Sequence, residues 1–199
     1  MTNSIWAASL DTFNSDIAGT QPSPSAGSAA AVSARLAVSL LIKVLEITRR
    51  RKSIVGDRKK IDVLLTAARI ESEVLAKAAD EDGKAFAEYL YRIREKADKN
   101  MLQSAMLRAI EVPITAARSS VRAIALSQEA VHQVPASIGA DLGAAALLLS
   151  GAVRALLITV DYNLQQLTTE RSELAAERIH LENQSETQTE VIIRQIGLK

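Results

Sequence analysis

Apolar residues along this chain recur at the spacing of an α-helix rather than at the alternating spacing of a β-strand. Over residues 58–97, for example, apolar side chains fall at Leu64, Ala67, Ala68 and Leu75, close to a period of 3.6 residues. No run of Val, Ile and Thr alternates cleanly with polar residues, so no strand is predicted. With the turn residues, the pattern predicts helices, the first of them short, at about 4–18, 26–52, 58–97, 101–131 and 138–183, followed by a polar and then briefly apolar tail.

Long helices joined by short loops pack as a bundle. We therefore predict an all-α fold, with five to six long helices in a single domain over residues 1–182 and a C-terminal tail over residues 183–199. Pro113 lies inside the predicted helix 101–131, where we expect a kink. With 199 residues, the chain is long enough to bury a core without a disulfide or a metal ion.

Composition and charge argue against several kinds of partner. The sequence has no cysteine, which excludes disulfides, thiolate nucleophiles and cysteine metal sites. His132 and His180 have no partner residue at ligand spacing, so no metal site is predicted. A net charge of +1 and an aromatic content of 3% argue against a nucleic-acid partner.

The sequence also predicts no membrane partner. The longest uncharged apolar run, between Asp141 and Arg154, has twelve residues and is too short to cross a bilayer as a helix. The first residues, MTNSIWAASLDTF, lack the basic region and the apolar core of a signal peptide. We expect a soluble, cytoplasmic protein.

Residues 22–31, with the sequence PSPSAGSAAA, form the most informative segment. Two prolines stiffen the approach to a helix, and the small side chains that follow let a backbone or a ligand come close. Free N–H groups at a helix N-terminus attract anions or carbonyl oxygens. A tightly packed helix cap against a neighbouring helix uses the same residue types, so the residues alone leave both interpretations open.

The segment resembles the proline–triple-glycine–serine loop, PTPGGGSVAA in general form, of the cyclodeaminase/cyclohydrolase family of folate one-carbon enzymes. Two of the three family glycines are replaced here by Ser25 and Ala26, and Gly27 retains the third. Asp82 fits the family's DxxAF motif, and we expect it to be structural. Further weak matches follow in the family's order over roughly residues 4–175, namely the leader IWAASLDTFNSDIA, the basic segment ITRRRKS, the motif at 111–117, the helix start at 137–141 and the motif at 159–163.

The resemblance implies a folate one-carbon enzyme with a tetrahydrofolate derivative as its small-molecule substrate. The reaction is either the ammonia-releasing cyclisation of 5-formiminotetrahydrofolate or the hydrolysis of methenyltetrahydrofolate. Both use a carboxyl acid/base, and neither needs a metal or a tightly bound cofactor. The resemblance further implies a homodimer. Two alternatives stay open: an enzyme of this descent that acts on a non-folate C–N or C–O bond in specialised biosynthesis, and a non-catalytic helical scaffold or partner subunit.

Asp141 is the predicted catalytic acid/base. It lies near a helix start, beside an apolar run over residues 144–149, and a carboxyl there can protonate a leaving amine or position a water molecule. An ordinary aspartate in the first turn of a helix is the alternative. We expect the loop that contains Ser25 and Ser28 to meet Asp141 at one site.

The predicted substrate-binding residues lie in three places, namely Ser25, Gly27 and Ser28 in the loop, Arg51 and Lys52 in a basic cluster, and Asn163. Arginine and lysine in the cluster can bind the glutamate carboxylates of a folate tail, whereas a solvated helix C-terminus accounts for the same cations through the helix dipole. Asn163 lies about 33 Å from Asp141 along a straight helix. These two residues therefore have different roles, or a second subunit brings them together.

Overall fold

The computed structural model describes residues 4–52, 56–167 and 172–197. Within these residues it contains helices and turns but no β-strand, which confirms the predicted all-α fold. Short 3-10 turns at Ile5–Ala7 and Ala136–Ile138 precede two of the helices. The α-helices are α1 (Leu10–Ile17), α2 (Ala26–Arg50), α3 (Arg58–Arg94), α4 (Lys99–Ala130), α5 (Gly139–Leu164) and α6 (Ser172–Gln195).

Helices α2 to α5 enclose the core. Helix α2 packs against α3 and α5, α4 packs against the same two helices, and α6 lies across α4 and α5. Small residues line most of the buried side of α2 in its first half, so its neighbours approach closely there, while leucine and isoleucine fill the space between the helices. The largest fully buried side chains include Leu41, Leu45, Ile61, Leu75, Ile110, Ile124, Leu149 and Leu156.

Two buried or half-buried ionic contacts tie α4 to its neighbours. Arg122 donates to both carboxylate oxygens of Glu71 on α3, at 2.7 and 2.8 Å, and Ser119 donates to the same carboxylate at 2.6 Å. Arg118 donates to both oxygens of Glu177 on α6, at 2.6 and 2.8 Å. Bidentate arginine–carboxylate pairs fix both the distance and the rotation of the helices that carry them.

The predicted helix 138–183 is wrong, because α5 ends at Leu164 and a separate helix, α6, begins at Ser172. Gln166 and Leu167 donate back to carbonyls three residues earlier, the tight turn with which helices often end. A single helix of that length would extend far beyond the bundle, whereas a reversal lets α6 bury Leu181 and Ile192 against α4 and α5. Residues 168–171 of the predicted helix lie outside the described residues.

The predicted boundary between residues 182 and 183 falls inside α6. Side chains on both sides of it, Leu181, Ser185, Thr189 and Ile192, are buried. The described part of the predicted tail is therefore a continuation of the bundle. The predicted leader helix 4–18 divides at Ala8 and Ser9 into a 3-10 turn and α1, and α4 runs without interruption through Pro113.

Two helices are long and apolar enough to cross a membrane by length and composition alone. They are α2 and the segment Ala136–Leu164, in which 56% and 50% of the most apolar windows are buried inside the bundle. A core helix of a soluble protein meets the same criteria. These segments therefore do not establish a membrane protein.

Candidate functional site

The N-terminus of α2 is fastened to the middle of α3 by one buried carboxylate. Ser25 and Ser28 both donate to Oδ2 of Asp82, at 2.6 and 3.1 Å. Asp82 is 6% exposed and Ser28 is fully buried. A carboxylate beside the N-terminus of a helix also interacts favourably with the helix dipole. Residues 22–28, which comprise the end of the preceding loop and the first residues of α2, are called the α2 loop below. Asp82, which is 54 positions from Ser28 in the sequence, holds this segment in place.

Glycines make this close approach possible. A Cβ atom on Gly27 would lie 2.2 Å from Oδ1 of Asp82, and a Cβ atom on Gly83 would lie 1.9 Å from Oγ of Ser23. Both distances are far shorter than any van der Waals contact, so a side chain at either position would force the neighbouring side chain, Asp82 or Ser23, to move. The retained glycine of the sequence motif therefore accommodates a neighbouring carboxylate of the same chain.

A second aspartate, one half-turn earlier on α3, holds the leader segment, residues 4–17. Asp80 accepts a hydrogen bond from the hydroxyl of Ser4 and another from the backbone N–H of Ile5, both at 2.7 Å. Trp6 donates from its indole nitrogen to the carbonyl of Ala76 at 3.0 Å, and the guanidinium of Arg35 lies 4.1 Å from the centre of its ring.

A cavity of about 540 Å³ lies between the leader segment and α3, next to the α2 loop. Its α3 side combines three small residues with the charged side chains of Asp80 and Lys84, while Phe13 and Pro24 contribute apolar surface from the leader and the loop. No residue of α1 is buried. The structure therefore places an open, mixed polar and apolar space beside the loop that the sequence identifies as a candidate site.

Asp141 lies elsewhere. Its carboxylate forms an ion pair with Lys43 on α2, with 2.8 Å between Nζ and Oδ2, and its side chain is about one-third exposed. Lys43 is fifteen residues, roughly 22 Å, farther along α2 than Ser28. The prediction that Asp141 meets the α2 loop within one chain is therefore wrong. The pattern of residues could not reveal this, because it depends on the direction in which α5 packs against α2.

The predicted binding residues divide between the two ends of the bundle. Helix α5 runs antiparallel to α2, since its start lies beside the end of α2, where Arg51 donates to the hydroxyl of Ser137 at 3.4 Å. Exposed Lys52 is at this end as well. Asn163, at the end of α5, is at the other end with the α2 loop, and its amide donates to the carbonyl of Ala109 on α4 at 2.9 Å.

The basic cluster, residues 49–52 and 58–60, is partly neutralised by contacts within the chain. The carboxylate of Glu46 forms ion pairs with Arg49 at 3.0 Å and with Arg69 at 2.7 Å. Arg58 donates to the backbone carbonyl of Arg49 at 2.9 Å, a contact that satisfies the free carbonyls at the end of α2. These contacts favour the interpretation of the cluster as a helix terminus, while Arg51 and Lys52 remain exposed to solvent.

Asp82 was predicted to be structural, and the structure shows which contact it makes, with Ser25 and Ser28 of the α2 loop. Its motif was visible, but no rule of spacing connects a carboxylate in the middle of α3 with the start of α2. Among the described residues, no three His, Asp or Glu side chains come together in a way that would hold a metal ion.

Comparisons with known proteins agree with this architecture. A family model described as formiminotransferase-cyclodeaminase matches residues 9–179. The crystal structure of formiminotetrahydrofolate cyclodeaminase from Thermotoga maritima superposes with a TM-score of 0.84 at 20% sequence identity, over 96% of this chain and 95% of that chain. The comparison with curated proteins finds no significant match.

Proposed function

This chain belongs to the formiminotransferase-cyclodeaminase family, and from that membership we propose that it is a folate one-carbon enzyme. The proposed reaction is the ammonia-releasing cyclisation of 5-formiminotetrahydrofolate or, alternatively, the hydrolysis of methenyltetrahydrofolate. The family match over residues 9–179 carries the proposal. The structural neighbour from Thermotoga maritima is a formiminotetrahydrofolate cyclodeaminase, which favours the first of the two proposed reactions. We expect the enzyme to act in the cytoplasm.

The proposed chemistry requires a proton donor and a shielded space for a flat ring. In the cyclisation, N10 of the folate attacks the formimino carbon, the bond from that carbon to the formimino nitrogen breaks, and the departing nitrogen takes up protons to leave as ammonia. Asp141 is the proposed acid/base for this transfer. We propose that Ser25, Gly27, Ser28 and Asn163 lie on the substrate's ring side, and that Arg51 and Lys52 attract the carboxylates of its tail.

One chain keeps these groups at opposite ends of the bundle, so we propose that two copies complete each site. Leu36 on α2 and Leu148 on α5 are 54% and 48% exposed. Leu36 lies seven residues, or about two turns, before Lys43 on α2, and Leu148 lies seven residues after Asp141 on α5. Each leucine is therefore on the same side of its helix as the charged residue. Three further residues on α5, Leu147, Ile158 and Tyr162, are also more than half exposed. A continuous apolar face of this kind typically binds a partner.

A twofold axis through the middle of this face would reverse the direction of the second copy. The α2 loop of one subunit would then lie beside the end of the partner that carries Asp141, and the two sites of the dimer would be equivalent. The homodimer thus explains why the predicted residues are separated within a chain. It also explains why α2 and α5 are apolar around so much of their circumference.

A mixing experiment tests the two-copy site. Asp141→Asn removes the acid/base of one subunit and Gly27→Ala disturbs the loop of the other, so each homodimer has two defective sites. A mixed dimer contains one site with an intact loop and an intact Asp141, and we expect it to regain activity on 5-formiminotetrahydrofolate. If mixing restores nothing although mixed dimers form, each site resides within a single chain.

Binding tests the substrate separately. A ligand that binds only the native state stabilises it by about 2.7 kcal/mol at one hundred times its dissociation constant. Thermal shift with tetrahydrofolate, 5-formyltetrahydrofolate and 5-formiminotetrahydrofolate should therefore raise the midpoint of unfolding. If none of them raises it, the folate assignment fails, and the replacement of two loop glycines by Ser25 and Ala26 then favours a non-folate substrate.

A further inference from the structure

We propose that Asp82 is a positioning residue that makes Ser25 a hydrogen-bond acceptor, so that the α2 loop selects substrates whose one-carbon group is cationic or donates an N–H. The inference rests on the proposed function in one respect, because it assumes that the loop contacts the reacting end of a folate. Its structural part, the control of the loop by Asp82, does not depend on the substrate.

The carboxylate of Asp82 lies in an unusual environment. Among the described residues, two acidic side chains are buried, Glu71 at 8% exposure and Asp82 at 6%. Glu71 is neutralised by Arg122 at 2.7 Å. Asp82 has no ion pair with a cation of the described chain, and hydroxyl groups supply its side-chain hydrogen bonds. Burying a carboxylate without a cation is costly, so a structural or functional requirement must offset that cost.

The direction of the hydrogen bonds between Asp82 and the two serines is fixed. An ionised carboxylate only accepts, so the hydroxyls of Ser25 and Ser28 must both donate to Asp82. Ser28 is fully buried and serves as the inner attachment of the loop. Ser25 is half-buried, and after donating its proton it presents only lone pairs to a neighbouring molecule. A ligand group that reaches Ser25 must therefore be a donor.

The charge of Asp82 also acts on any ligand group that lies beside Ser25. The negative charge of Asp82 lies one hydrogen bond behind Ser25, with 2.6 Å between Oγ and Oδ2. This full negative charge outweighs the roughly half positive charge of the α2 N-terminus, so the field at Ser25 favours a positive group and disfavours a carbonyl oxygen or an anion. A formimino group is an amidine, a base that takes up a proton to become a delocalised cation with N–H donors. A formyl group in the same place offers a carbonyl acceptor, which neither Ser25 nor Asp82 can satisfy.

The test compares the binding of two folates by calorimetry in the Asp141→Asn background, because the proposed activity would consume 5-formiminotetrahydrofolate during a titration of the wild type. With Asp82 and Ser25 intact, this protein should bind 5-formiminotetrahydrofolate more tightly than 5-formyltetrahydrofolate. Asp82→Asn removes the charge and lets the side chain donate, so the preference should fall about tenfold or more. Ser25→Ala removes the acceptor but leaves Ser28 on Asp82, and it should reduce the preference as well. Thr66→Ala is the control, because it removes an exposed hydroxyl that bonds to its own helix at 2.9 Å.

Hydrogen exchange separates this inference from the proposed function. Asp82→Asn should raise amide exchange in the α2 loop, whereas the matched variant Asp80→Asn should raise exchange only in residues 4–8, which Asp80 holds. If the protein with Asp82 and Ser25 intact binds neither folate, the proposed function fails and exchange alone decides the role of Asp82. Unchanged loop exchange in Asp82→Asn, or an unchanged folate preference in both Asp82→Asn and Ser25→Ala, would overturn the inference.

Discussion

The contact between Gly27 and Asp82 leads to a strong prediction about stability. A Cβ atom at position 27 would lie 2.2 Å from Oδ1, 2.6 Å from Cγ and 2.8 Å from Oδ2 of Asp82. The carboxylate must move away by about 1 Å or more to restore an ordinary contact, since carbon and oxygen atoms in contact are normally separated by about 3.5 Å. Gly27→Ala therefore disturbs the hydrogen bonds that Ser25 and Ser28 donate to it, at 2.6 and 3.1 Å.

Three contributions set the size of the effect. Overpacking a close contact costs about 1–3 kcal/mol, and a hydrogen bond to a charged group contributes about 1.5–3 kcal/mol. Alanine is more favourable than glycine in a helix by up to about 1 kcal/mol, which offsets part of the loss. We expect Gly27→Ala to lower the free energy of unfolding by about 2–4 kcal/mol, measured by urea denaturation at a fixed protein concentration.

Gly143→Ala is the matched control. Its new Cβ atom would lie 2.5 Å from Cδ1 of Ile196 and 3.5 Å from Cδ1 of Ile193, which are the ends of flexible side chains. Rotation of these side chains removes the clash, so the variant should stay within about 1 kcal/mol of the wild type once helix propensity is included. If Gly27→Ala proves as stable as Gly143→Ala, the rigid contact between the loop and Asp82 does not exist.

Further predictions concern the ionic contacts and the exposed face. Arg122→Ala leaves the buried Glu71 carboxylate without its cation and should cost about 2–3 kcal/mol in urea denaturation, below the range for a fully buried pair because Arg122 is half-exposed. The hydrogen bond from Arg118 lowers the pKa of Glu177, so this contact stabilises the fold above the unfolded-state pKa of the carboxyl and weakens as the pH falls through the lower native value. Glu177→Gln should therefore cost less than about 1 kcal/mol near neutral pH, and the difference from the wild type should close in acid. Leu148→Glu should convert the proposed dimer to a monomer in light scattering.

For each of these predictions, a specific result would contradict the reasoning. A stability of Arg122→Ala equal to that of the wild type would show that Glu71 is not held as a buried ion. A Glu177→Gln deficit that grows in acid would contradict the lowered pKa of that carboxyl. For the assembly, Val63→Glu is the control, because Val63 is 68% exposed on α3 rather than on α2 or α5. A dimer that tolerates Leu148→Glu and dissociates with Val63→Glu would place the interface elsewhere.

The helical class and most helix boundaries could be predicted from the sequence because they depend on local patterns. Proline and glycine mark the start of α2 and the turn before α3, and an aspartate caps α3 at its first turn, where Asp57 accepts from the N–H of Lys59 at 2.8 Å. The reversal between α5 and α6 was missed because its residues carry no proline or glycine. Tertiary packing of Leu181 and Ile192 determines it instead.

The candidate site was less predictable, because it depends on which helices lie side by side. The loop was identified from its small residues, but the sequence does not show that Asp82 contacts the loop or that Asp141 does not contact it. Helix direction decides both outcomes. A pairing of α2 and α5 in parallel would have put Asp141 beside Ser28, whereas the antiparallel pairing puts it beside Lys43.

The central claim, that this is a folate one-carbon enzyme with a carboxyl acid/base, is tested most directly by turnover. Purified protein is incubated with 5-formiminotetrahydrofolate, and ammonia and the methenyl product are followed together. We expect both products to appear in equal amounts, with Asp141→Asn about a hundred- to ten-thousandfold slower while it stays folded. No release of ammonia and no hydrolysis of methenyltetrahydrofolate by the folded wild type, or full activity in Asp141→Asn, would contradict the account.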